Sequence, residues 1–317
     1  MNWFSFHLGD FAVSFLSVLL EGIPFLLLGS IISGLVEALV SADKVSRILP
    51  KNSFLAICAS GLLGMIFPMC ECGSVVVIRR FIRKGLPLGS ALTYMLAAPI
   101  VSPIVALSTF AAFRGQHAAE MTLLRLGLGF VIGVAAGWIA HQFPASAVLR
   151  PGAGPDNETP APRAGLRVSA APSTEDAPTG SHPATRAVYT AATDFLDVAV
   201  FFVIGAAITS LLGTAIDRSV LASVAGNPPL AIFSLMGLAA ALALCSTTDA
   251  FIAATSFQTF PMTAKLAFLL FGPMFDLKLY WLYGLLFRRR FVVFLGLSLF
   301  ALIGLICWRL TGLVLLT

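Results

Sequence analysis

Charge is what this sequence has least of. Only 11% of its 317 residues are Asp, Glu, Lys or Arg, against about 25% in an ordinary soluble domain. So little charge does not cover a globule of this size with polar surface, and 58% of the residues are hydrophobic. Histidine is also scarce. His7, His117, His141 and His182 lie near segment ends or in a polar stretch and form no metal-ligand spacing. No GxxxxGK[ST] loop is present, which leaves the chain without a nucleotide-driven motor of its own. The N-terminus has no basic region ahead of its first apolar run and carries Asp10, so the run reads as a retained span rather than a cleaved signal. The five cysteines (Cys58, Cys70, Cys72, Cys245, Cys307) are an odd number, all inside apolar segments. That argues against a secreted disulfide framework.

What the sequence does have is long apolar runs. About 20 apolar residues cross a bilayer as a helix. Eight candidate segments meet that length: 13–38, 53–78, 87–113, 120–141, 194–216, 228–256, 262–287 and 291–313. They are too long and too continuously apolar for the alternating strands of a membrane barrel. The net charge of +5 is carried largely in short clusters between segments: Lys44, Arg47 and Lys51; Arg79, Arg80, Arg83 and Lys84; Arg288, Arg289 and Arg290. Such clusters suit loops at lipid headgroups rather than nucleic acid. The expected fold is an all-α, multi-pass membrane protein with some helices broken or re-entrant.

From 145 to 185 the chain turns rich in Pro, Ala, Gly, Ser and Thr, a composition that does not bury enough apolar surface to order itself. The sequence therefore divides into a first membrane unit (1–144), a disordered hydrophilic linker (145–193) and a second membrane unit (194–317). The two units resemble each other. Phe25 and Gly29 match Phe201 and Gly205, Cys70 matches Cys245, Pro87 matches Pro261, and Pro99 matches Pro273, at offsets of 176, 175, 174 and 174. Ordered matches at a nearly constant offset point to duplication, giving two halves of four segments. Repeats with a site at their interface are typical of secondary transporters. With eight simple spans the basic residues divide almost evenly between the two sides. If 53–84 and 88–113 enter the membrane and return, nearly all basic clusters fall on one side. Both topologies stay open.

Three constellations interrupt the apolar runs. The first is Phe67-Pro68-Met69-Cys70-Glu71-Cys72-Gly73. In a regular helix, residues two apart point about 200° from each other, so Cys70 and Cys72 share a ligand only where the helix breaks. Pro68 and Gly73 supply that tendency. Glu71 is an ionisable residue inside a span, which marks a functional site by default. Thiolates select soft, thiophilic species. An isolated Cys such as Cys58 or Cys307 reads instead as packing. The second is Leu244-Cys245-Ser246-Thr247-Thr248-Asp249, where Thr248 and Asp249 break an apolar run at the position matching Cys70. Symmetric halves would face Cys245 and Asp249 toward Cys70, Glu71 and Cys72. In that arrangement Cys70, Cys72 and Cys245 form a candidate soft-metal or metalloid set, and Glu71 and Asp249 carry coupling protons or counter-charge. The third pairs Pro99 and Ser102 with Pro273 and Asp276. Asp276 is a candidate site residue. Lys278 beside it is either part of a buried polar element or snorkels toward an end.

These motifs resemble the predicted-permease family that includes the ArsP exporters of trivalent organoarsenicals, and in particular its branch with a Cys-Glu-Cys-Gly signature. The likeness runs through Phe67–Gly73, Arg79-Arg80, Lys84-Gly85, Leu96–Val101, Cys245–Thr247 with Asp249-Ala250-Phe251, and Phe271–Met274 with Asp276. It covers nearly the whole chain outside the linker. It departs at Val76 and Ser102, where the branch has proline and asparagine. The resemblance implies transport across the cytoplasmic membrane and is compatible with a second membrane protein as partner; no cofactor is expected. The leading expectation is a secondary permease exporting a small thiophilic solute. The competing ones are a membrane enzyme handling a thiol or persulfide, and a scaffold subunit of a two-protein complex.

Overall fold

The computed structural model describes residues 8–39, 50, 52–66, 69–151, 153, 183–215 and 226–312. Within them the chain is helical, with one isolated antiparallel bridge between Leu149 and Phe287. In chain order the helices are α1 (Leu8–Leu39), α2 (Ser53–Ile66), α3 (Glu71–Arg83), α4 (Leu88–Ala97), α5 (Pro103–Ala112), α6 (Ala118–His141), α7 (Ala145–Val148), α8 (Pro183–Ala215), α9 (Pro228–Leu242), α10 (Thr248–Ser256), α11 (Met262–Met274), α12 (Leu277–Tyr283) and α13 (Arg289–Gly312).

Five stretches are long and apolar enough to cross a membrane: Gly9–Ile32, Ala118–His141, Ala191–Leu211, Met262–Tyr283 and Arg289–Gly312. The sequence shows eight candidate segments, some of them expected to be broken or re-entrant. Four of those, 53–78, 87–113, 228–256 and 262–287, are each interrupted into two helices. The break in the second of these runs through the turn at 98–100 and leaves Pro103 in the first turn of α5. Proline there forfeits no hydrogen bond that the helix start would have used. In the last, Pro273 sits one residue from the end of α11, and the backbone is extended at Phe275 and Asp276. The third break has no proline. Ala243 adopts a left-handed backbone, φ 43° and ψ 50°, at the end of α9, and the polar run 245–248 follows it. Pro68, expected to open the first break, lies outside the described residues.

The two parts of an interrupted segment do not pack along one another. α2 lies against α4 and α6, α3 against α1 and α4, α5 against α6 and α10, α9 against α11 and α13, and α12 against α8. This is the packing of interrupted segments rather than of tight hairpins. The centre is formed by α4 and α11, which touch each other and are buried over most of their length. Within Met262–Tyr283, 78% of the spanning window is buried, against 6% in Gly9–Ile32. The outer helices α1, α6, α8 and α13 expose Leu20, Leu123, Leu196 and Leu297. Such a surface is stable facing lipid, where apolar exposure carries no penalty.

Two glycines set the approach of the outer helices to the interior. A Cβ on Gly29 of α1 would stand 3.0 Å from the Gly73 backbone in α3. One on Gly205 of α8 would stand 3.0 Å from the Lys278 Cα in α12. Contacts this close tolerate no side chain, as in other membrane helix pairs built on small residues. α1 and α8 also pack along each other. Together α1, α3, α8 and α12 enclose one side of the interior.

The linker expected over 145–193 is ordered at both ends. α7 occupies its first residues, and the Arg150 N–H donates to the Leu286 carbonyl (2.9 Å) while the Arg288 N–H donates to that of Val148 (2.9 Å). α8 starts at Pro183, ahead of the apolar run. The backbone pairing gives this short piece a fixed place that composition does not reveal. Residues 154–182 lie outside the described set.

Candidate functional site

The site grows from the helix breaks. Cys70 is the N-cap of α3, with extended backbone (φ −70°, ψ 163°), and the Gly73 N–H donates to its Sγ (3.4 Å). Glu71 and Cys72 follow as the first residues of α3. Starting the helix here brings Cys70 and Cys72 to one pocket, because Cys70 is not bound by the 100°-per-residue rotation of a helix. The acid at the start of α3, with Arg80 and Arg83 in its last turn, also complements the helix dipole.

That pocket is lined by Cys70, Glu71, Cys72, Ala243, Leu244, Cys245 and Lys278, with Val18 and Gly22 of α1 closing it. Cys70, Cys72 and Cys245 are 7%, 2% and 8% exposed. Lys278 is the residue the sequence left between two readings, and the structure buries it. Its Nζ donates to Glu71 Oε1 (3.3 Å) and to the Ala243 carbonyl (3.3 Å). It stands 3.9 Å from Asp276 Oδ2 and 5.9 Å from the Phe202 ring centroid. The left-handed turn at Ala243 aims its carbonyl at this ammonium, a strained backbone at a polar centre. Asp276 caps α12: the Leu279 N–H donates to its Oδ1 (2.6 Å).

A second charged pair lies on the other side of the interior. Arg125, on α6, is fully buried. Its Nη2 donates to both carboxylate oxygens of Asp249 (2.9 and 2.8 Å) and to the Ser246 carbonyl (2.9 Å). Its Nη1 donates to Thr109 Oγ1 (2.8 Å). Arg125 therefore ties α5 and α6 to the start of α10.

The structure thus brings Cys70, Glu71, Cys72 and Cys245 together, adds Lys278, and places Asp276 within reach through that lysine. Asp249 does not line the thiol pocket; Arg125 engages both its oxygens. Thr248 is half-buried in the first turn of α10. Pro99 and Ser102 are buried and shape the break between α4 and α5, with Ser102 as the N-cap of α5. Neither lines the thiol pocket. The three thiols were also expected as a metal set. Among the described residues, no group of three or more His, Cys, Asp and Glu side chains is placed to hold a metal ion. The sequence reading passed over Arg125, although a lone arginine in an apolar run is the signal that singled out Glu71 and Asp249.

The chain matches a family described as "Predicted permease" over residues 7–314. It is 36% identical over 282 residues to the UPF0718 protein YcgR of Bacillus subtilis (strain 168), covering 89% of this chain and 90% of that protein. It is 31% identical over 287 residues to a protein of Streptococcus mutans serotype c (strain ATCC 700610 / UA159) whose name proposes it as a subunit of a two-component membrane permease complex, covering 90% and 89%. No solved structure matches. On the extent of the family match and of both relatives, the chain belongs to the predicted-permease family.

Proposed function

We propose that this protein is a secondary permease of the cytoplasmic membrane that exports a small thiophilic solute, such as a trivalent metalloid, an organoarsenical or a soft metal ion. One observation carries the reading. Three cysteines from two separate helix breaks line a single buried pocket beside a charged cluster. Soft sulfur donors suit such a solute, and interrupted helices around a mid-membrane cavity are how transporters present a binding site.

The site lies where two duplicated halves meet. Packing supports the duplication. The contacts of α2 with α4, α4 with α6, α2 with α6 and α3 with α4 recur as α9 with α11, α11 with α13, α9 with α13 and α10 with α11. Across the halves, α3 meets α12 and α10 meets α5, the exchange a pseudo-twofold requires. Rocking of one half against the other then exposes the thiol pocket alternately to the two sides. The symmetry is not carried into the outer helices, since α1 covers α3 whereas α8 covers α12.

The test is flux from proteoliposomes against a panel of trivalent arsenicals, soft metals and sulfur oxyanions. Release of at least one thiophilic member, absent in Cys70→Ser/Cys72→Ser protein at equal incorporation, is the expected result. A panel with no flux would reject the substrate class. A second reading has its own support in the name of the Streptococcus relative: the chain works as one subunit of a two-protein permease. Flux only after co-reconstitution with a second membrane protein would favour it.

A further inference from the structure

We infer that a cleft where α12 meets the start of α13 binds the phosphate of an anionic phospholipid headgroup. The cleft shares no lining residue with the thiol pocket and is independent of the transported solute.

Four pieces of chain build it. Arg150 comes from the stretch after α7, Phe201 from α8, Tyr280 and Trp281 from α12, and Arg289 and Val292 from the first turn of α13. Its polar wall is rich in donors. A guanidinium and an indole N–H have no acceptor capacity. The Gly284 carbonyl, also in the lining, is engaged: Arg150 Nη1 donates to it (2.9 Å). With the Arg150 N–H donating to the Leu286 carbonyl (2.9 Å), that bond fixes Arg150 at the cleft and leaves most of its guanidinium free. Among the described residues, no carboxylate pairs with Arg150 or Arg289. The Trp281 Nε1 is buried without a hydrogen-bond partner, and such a donor is costly until an acceptor reaches it.

The surrounding charges do not compensate the two guanidinium groups. No carboxylate lines the cleft. Asp197 of α8 is paired with Arg79 (3.1 Å), and Asp276 caps α12 beside Lys278. The side chain of Asp194 lies outside the described set. α13 carries no acid, and Arg288 and Arg290 flank Arg289. Arg288 Nε donates to the Leu149 carbonyl (3.2 Å). The start of a spanning helix adds positive potential. Donors without acceptors and cations without counter-ions suit an anion that only accepts, and the guanidinium fork matches phosphate oxygens.

Size and depth select which anion. The cleft holds about 40 Å³, and one water needs about 10–15 Å³. That is room for the free oxygens of a phosphodiester and none for a nucleotide. Arg289 is the first residue of a spanning stretch. Phe201 lies about one helical turn past Asp197, the last charged residue of α8. The cleft is thus level with the ends of the apolar spans, where Trp and Tyr gather and basic residues meet anionic headgroups. Phe201 and Val292 give it an apolar side, which suits the glycerol end of a lipid and offers nothing to a free oxyanion.

Native mass spectrometry of the full chain in detergent, titrated with dioctanoyl phosphatidylglycerol, tests the site. One lipid should bind ahead of any further ones. Dioctanoyl phosphatidylcholine should bind more weakly, because its choline cation meets Arg150 and Arg289. Arg150→Gln and Arg289→Gln should each weaken the first binding about tenfold or more. Trp281→Phe, which keeps a ring and loses the N–H, should weaken it less. Arg290→Gln, in the same basic cluster but outside the lining, should leave it unchanged. Arg289→Gln removes no bond within the protein, so its lipid-free unfolding midpoint should not move; this variant decides the matter should Arg150→Gln fail to fold. Inorganic phosphate at equal concentration should not displace the lipid. Displacement, or phosphate binding without phosphatidylglycerol binding, overturns the lipid assignment. Equal affinity for the two lipids, or equal losses in Arg290→Gln and Arg289→Gln, overturns the site and leaves only diffuse attraction to the basic cluster.

Discussion

Arg125 and Asp249 are 124 residues apart, yet the Arg125 Nη2 donates to both oxygens of the Asp249 carboxylate at 2.9 and 2.8 Å, with neither side chain more than 3% exposed. The pair clamps α6 onto α10. A clamp of this kind leaves an uncompensated buried charge when one partner is lost.

Arg125→Ala and Asp249→Asn should therefore each destabilise the protein by about 3–5 kcal/mol, the range for breaking one side of a buried ion pair. The apolar double variant Arg125→Met/Asp249→Leu should recover much of the loss, because neither charge is then stranded. Thermal unfolding in detergent, followed by intrinsic fluorescence, reads both effects. Singles with unchanged midpoints would show that the pair carries no stability.

Gly29→Ala and Gly205→Ala should each cost about 1–3 kcal/mol, the usual penalty of forcing an extra methyl into a packed contact. Each new Cβ meets backbone or a Cα at 3.0 Å, and these atoms have no rotamer by which to yield. Gly9→Ala, with nothing within 4 Å, should be neutral. Equal midpoints for all three variants would contradict the close helix approach.

Replacing the thiols separates their chemistry from their packing. Cys70→Ser and Cys72→Ser should abolish solute flux while shifting the unfolding midpoint little, since serine is close in size. Cys58→Ser, on α2 and away from the pocket, should do neither. Normal flux in the double Cys70/Cys72 variant at matched incorporation would remove the soft-donor mechanism.

The stretch within 154–182 should tolerate shortening with transport intact, because it is poor in apolar residues that a core could bury and loop closure depends weakly on length. The cut must spare 148–150, which pair with 286–288. Flux from a correctly inserted shortened chain checks this, and complete loss would give the segment a role that composition hides.

The membrane character needed only the sequence, because the bilayer imposes a length of apolar chain that composition displays directly. The ionisable residues Glu71, Asp249 and Asp276 stood out for the same reason: charge inside an apolar run is visible one residue at a time. Folding decided which cation each acid meets. The sequence placed Glu71 and Asp249 as equals across a symmetry axis. The structure gives Asp249 to Arg125 and leaves Glu71 sharing Lys278 with Asp276. Those partners lie 124 and 207 residues away, and no local pattern encodes which buried cation a helix start will reach. The break at Ala243 was equally hidden, since neither proline nor glycine marks it. Its left-handed backbone is held by tertiary contacts, and the Ala243 carbonyl finds its donor, Lys278, only when α12 is packed in place.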